Sequence, residues 1–74
     1  MIKELDVVAL TKSLPKFKLQ AGDTGTVVDA SPDGRWFIVE FMTFDGTTVA
    51  VETVEADAVR PIAGREIPQT RVMA

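Results

Sequence analysis

Seventy-four residues, 46% of them hydrophobic and 26% charged, suit one small domain with a real core rather than a disordered chain. The chain has no cysteine and no histidine, which excludes disulfides, thiolate or imidazole metal sites and the commonest general base. A formal charge of −3 argues against partners recognised through their phosphates, because neutralising phosphates takes clustered Lys and Arg.

The N-terminal Met1 to Asp6 carries charges where a secretory leader needs an apolar stretch. No apolar run approaches the roughly 20 residues that span a bilayer. A soluble cytoplasmic protein without a membrane partner is expected.

In chain order, Leu5 to Thr11 reads as a first strand around the β-branched Val7 and Val8. A loop from Pro15 to Gly22 follows, with Phe17 or Leu19 turned inward. Thr24 to Ala30 forms a second strand after Gly22-Asp23-Thr24-Gly25, whose glycines allow positive φ or a close backbone approach. Ser31-Pro32-Asp33-Gly34 has the composition of a three-residue hairpin ending on a left-handed glycine. Arg35 to about Thr43 is the third strand and Thr47 to Val54 the fourth, joined through Thr43-Phe44-Asp45-Gly46. Glu55 to Ala58 predicts a short helical turn, and Val59 to Ile62 a closing edge strand that tolerates its proline. The segment 63–74 has weak periodicity. It is expected either to be disordered or to lend Thr70–Met73 to an oligomeric contact.

Side-chain phase sharpens this reading. A three-residue loop at Asp45-Gly46 sets Phe41 against Val49, Val39 against Val51 and Phe37 against Thr53, whereas a two-residue turn pairs Val51 with Glu40. The first arrangement keeps valines inside and carboxylates outside, so it is preferred. The same arithmetic at the earlier hairpin sets Val27 beside Val39. The expected core is Val7 or Val8, Leu10, Leu19, Val27, Phe37, Val39, Phe41, Val49, Val51, Val54 and Val59. The expected class is all-β, a small five-stranded barrel over residues 1–62 with a short helical turn before the last strand.

Leu5-Asp6-Val7-Val8-Ala9-Leu10, the stretch Leu19 to Val28 around Gly22-Asp23-Thr24-Gly25, Val39-Glu40-Phe41, Asp45-Gly46 and Ala56 to Pro61 together resemble an uncharacterised bacterial family of small stand-alone SH3-like barrel proteins. The resemblance covers Leu5 to Ile62 and implies an SH3-like barrel, with no catalytic residues to carry over. Gly22 to Val28 is also similar to the strand-turn of KOW domains in ribosomal and transcription proteins.

The carboxylates Asp33 and Asp45 fit their turns, and no loop gathers acids in the manner of a calcium site. Gly22-x-x-Gly25 lacks the Lys and the following helix of a phosphate loop. Ser13, Ser31 and the threonines have no histidine to deprotonate them. No catalysis, cofactor or metal is expected. Two binding readings remain. The strand phase that buries Phe37, Val39 and Phe41 turns Val28, Ala30, Trp36, Ile38, Met42 and Ala50 outward; Val28, Trp36, Ile38 and Met42 are the candidate interface to a protein partner or a second copy, the other reading being that the long first loop or the C-terminal tail covers them. The alternative is a weak KOW-like nucleic-acid site at Lys12, Lys16, Phe17 and Lys18, where an aromatic lies among lysines.

Overall fold

A computed structural model describes residues 1–73. Five strands form one antiparallel sheet: β1 (Val7–Leu10), β2 (Thr24–Ala30), β3 (Trp36–Met42), β4 (Thr48–Glu55) and β5 (Val59–Pro61), in the order β4-β3-β2-β1-β5. Short 3₁₀ turns occupy Pro15–Phe17 and Ala56–Ala58. The all-β class, the five strands and the helical turn before the last one are as the sequence predicts. The sheet is open. β4 and β5 are its two edges, and among the described residues no ladder joins them into a closed barrel.

The inner face holds the core. Val8, Leu10, Leu19, Val27, Phe37, Val39, Phe41, Val54, Ala58 and Val59 form one buried cluster, with Ile2, Leu14, Phe17, Ala30, Val49 and Ala50 packed against it. Of the first-strand alternatives Val8 is the inward one, and Val7 is half exposed. Burying each large member stabilises by roughly 1.5–3 kcal/mol. Gly25 sits opposite Val8 on this face. A Cβ there would lie 2.5 Å from a Val39 methyl and 2.8 Å from the Glu40 carbonyl oxygen, so close strand packing demands glycine. The loop between β1 and β2 seals one side of the core with Leu19 and, more shallowly, Phe17.

Both hairpins correct the expected phase. In the first, Ser31 N–H donates to the Trp36 carbonyl at 3.0 Å, which makes the loop four residues long, Pro32 to Arg35. The ladder then slips by one at Val28, between the pairs Val27–Val39 and Asp29–Ile38. The longer loop and the bulge cancel, so Val27 does face Val39 (the right pair, reached by another route). Ala30 then lies opposite Phe37 and packs on the core instead of facing out.

In the second hairpin Thr43 N–H donates to the Thr47 carbonyl at 2.9 Å, giving the expected three-residue loop with Gly46 at φ 90°. A bulge at Val49 then shifts the rest of the ladder: Phe41 pairs with Ala50, Glu40 with Val51, Val39 with Glu52 and Phe37 with Val54. This is the phase the sequence argument rejected. Val51 faces outward and is 49% exposed, while Ala50 takes an inward place and Glu52 falls in the inward phase, half-buried. The inward valine and outward carboxylate would be required only in a closed wall, and β4 is an open edge. At an open edge, a carboxylate in the inward phase still reaches water and an outward valine costs little.

Candidate functional site

The outer face of β2, β3 and β4 is built from the positions that alternate with the core. Ser31 places its most prominent side chain. Nearly buried, its hydroxyl accepts the N–H groups of Arg35 at 2.8 Å and Trp36 at 3.1 Å and donates to Asp33 at 2.8 Å, which fixes where β3 begins. Trp36 and Val28 are each 37% exposed, and Ile38 is half-buried between Asp29 on β2 and Thr53 on β4. The strip therefore runs Trp36–Ile38 with Val28 beside it. It is rimmed by Asp29, Glu40 and Glu55 on the paired positions.

Met42 does not join it. It stands at the far end of β3, about 20 Å along the strand from Trp36, and lines a separate groove with Leu19, Phe41, Phe44 and Val49. Of the other residues expected outside, Ala30 and Ala50 are core contacts. Val51, expected inside, takes a place on the outer face instead. It lies beside Glu40, whose carboxylate accepts the Thr48 hydroxyl at 2.8 Å. Sequence reasoning missed Val51 because the bulge at Val49 leaves no local signature in β4.

The two edges of the sheet differ. β5 is three residues long and contains Pro61, which blunts it as a pairing template. β4 is eight residues long, Thr-Val-Ala-Val-Glu-Thr-Val-Glu, with neither proline nor lysine. Ala56 N–H donates to the Arg35 carbonyl at 2.9 Å, so Phe37–Val54, Val39–Glu52 and Phe41–Ala50 are the hydrogen-bonded pairs of the same register. The alternate residues Val51, Thr53 and Glu55 consequently turn their N–H and C=O groups toward the free edge.

The lysine-rich loop is dispersed by the fold. Lys12 approaches Asp57 at 3.5 Å. Lys16 Nζ lies 5.8 Å from the centroid of Phe17, whose ring is half-buried against the core and so is poorly placed to stack on a base. Lys18 adopts a left-handed conformation, φ 60°, and offers its carbonyl to Arg71.

A second polar constellation was invisible in the sequence because its members are far apart in the chain. Arg71 donates through Nε to Asp23 Oδ1 at 2.9 Å, through Nη2 to Asp23 Oδ2, and through Nη2 to the Lys18 carbonyl at 3.0 Å. These bonds from Arg71, helped by the Gln20 N–H, hold the Asp23 carboxyl below the usual carboxylate range. Among the described residues, no three metal-ligating side chains gather into a site, and no helix is long and apolar enough to cross a membrane.

The family described as a domain of unknown function, DUF4926, matches residues 4–61. No curated protein matches the chain, and no solved structure matches it.

Proposed function

The chain belongs to the DUF4926 family, whose function is unknown, and on that premise we propose that it is a non-catalytic, cytoplasmic protein-interaction module that associates with itself. We read its open sheet as an SH3-like barrel. The strand order, the long first loop, the two tight hairpins and the 3₁₀ turn before the last strand support that reading.

The observation that carries the interaction reading is the unpaired β4 edge next to the Trp36–Ile38 strip. A two-fold antiparallel pairing of two β4 edges must join residues whose backbone groups point outward. Centring it on Val51 sets Val51 against the same residue of the second copy and Val49 against Thr53, with Ala50 opposite Glu52. No carboxylate then faces another directly. Centring it on Glu52 would set like charges against each other and use backbone groups already bonded to β3. The pairing extends the outer face across both copies and brings the two Val51 side chains together, with the Trp36–Ile38 strips on either side.

Sedimentation of the wild-type chain against Val51→Lys and Trp36→Ala/Ile38→Ser tests this. The wild type is expected to exceed monomer mass. Val51→Lys, which sets two ammonium groups opposite each other, is expected to be monomeric with a melt that stays cooperative but no longer depends on concentration, and the double substitution to associate more weakly. A wild type that stays monomeric at every concentration would remove self-association. The KOW-like alternative draws less support, since Lys12 has a carboxylate partner and Phe17 leans on the core. It requires RNA or DNA binding that falls steeply with salt and with Lys16→Glu.

A further inference from the structure

Beyond the last strand the chain doubles back. Residues Pro68 to Arg71 and Met73 run along a groove whose floor is Leu19, Phe41, Met42 and Val49, between the β1–β2 loop and the second hairpin. They adopt no regular structure there, and about 180 Å³ of the groove remains unfilled. Among the described residues the contact is polar at one point: the Arg71 guanidinium on Asp23 and on the Lys18 carbonyl.

The receiving side of that contact is assembled without the C-terminal segment. The Asp23 carbonyl accepts the Leu10 N–H at 2.9 Å, Gly22 N–H donates to the Leu10 carbonyl at 2.8 Å, and the Asp23 carboxylate accepts the Gln20 N–H at 2.8 Å. Backbone and side chain of Asp23 are thus both fixed by the loop and β1. With Arg71 seated on it, the Asp23 side chain is only 19% exposed. A planar guanidinium suits such a pre-set carboxylate beside a free carbonyl better than an ammonium does, since its fork satisfies both oxygens and the carbonyl together. All the residues of the socket lie within the family-matched span 4–61, and the segment that fills it lies outside that span.

We propose that the groove between the β1–β2 loop and the second hairpin is a docking site for an extended, arginine-bearing peptide, with Asp23 and the Lys18 carbonyl as the arginine socket and Leu19, Phe41, Met42 and Val49 as the apolar floor. In this chain the segment 68–73 occupies it in cis and must leave before a partner's peptide enters. The site is separate from the β4 edge and the Trp36 strip, so it stands whether or not the chain self-associates.

The test is an NMR titration of full-length Arg71→Ala, whose own segment has lost its anchor, with a synthetic peptide of the sequence of residues 66–73. The peptide is expected to saturate Arg71→Ala, moving the Leu19, Asp23 and Met42 resonances, and to bind the wild-type chain roughly tenfold more weakly because the site is already filled. Adding Asp23→Asn to Arg71→Ala, or replacing the peptide's arginine by alanine, is expected to weaken binding by roughly tenfold or more. Near-ultraviolet dichroism of Trp36 confirms that each variant is folded. No saturable binding to folded Arg71→Ala, or binding that ignores both the Asp23→Asn change and the loss of the peptide's arginine, would overturn the proposal.

Discussion

Both hairpins close on the same local chemistry. In the first, the Asp33 carboxylate accepts from the Ser31 hydroxyl and the Arg35 N–H; in the second, the Asp45 carboxylate accepts from the Thr43 hydroxyl and the Thr47 N–H. Each loop carries a glycine at positive φ, and each ladder contains one bulge. Their outcomes diverge. β2 keeps Val27 fully buried, while β4 turns Val51 half out into water.

The difference lies in what flanks the bulged strand. β2 is held on its other side by β1, through Val7–Thr26 and Val8–Gly25, so its phase is fixed twice. A loop one residue longer compensates its bulge. β4 has one ladder and a free edge. Its bulge goes uncompensated because little apolar burial is lost when only one side of a strand is constrained. Turn chemistry alone therefore does not set register; the second neighbour does.

The sharpest way to probe this contrast is at Gly25, where the central strands touch most closely. Gly25→Ala is expected to destabilise by about 3 kcal/mol through overpacking against Val39 and Glu40, a large share of the stability of so small a domain. Chemical denaturation reads this directly; a loss under about 1 kcal/mol would mean the strands can move apart.

Next come the two valines that a simple hairpin count would set face to face. Val39→Ala is expected to cost about 2–3 kcal/mol, and Val51→Ala about 0.5 kcal/mol or less in the monomer. Equal losses would restore the unbulged register and with it an inward Val51.

The smallest effect concerns acid. Asp45 is held below the usual carboxylate range, chiefly by the Thr43 hydroxyl and then by the Thr47 N–H. A depressed carboxylate stabilises above its unfolded value and loses that contribution as pH falls through its folded one. The second hairpin should thus loosen only below about pH 4. Asp45→Asn is expected to flatten the acid limb of a stability-against-pH curve; an unchanged limb would assign the turn to Gly46 alone.

Much of the fold was legible because it rests on local signals. Alternating valines and phenylalanines, Asp-Gly turns and the proline at a short edge strand define five strands and most of the core. The apolar strip was legible in part. Trp36 and Ile38 follow from simple alternation on a bulge-free stretch of β3, but Met42 belongs to a different surface and Val51 to this one. Asp23 and Arg71 gave no signal at all, because nothing local to either predicts a contact across 48 positions.

The order of residues by itself determined the class, the elements, and which glycine and aspartates make the turns, since these depend on backbone preference and near-neighbour bonding. Tertiary structure alone decided where the bulges fall, that the sheet stays open, and that the C-terminal segment returns to the Asp23 loop. Those outcomes are set by the balance of burial across neighbouring strands, and no stretch of chain carries that balance within itself.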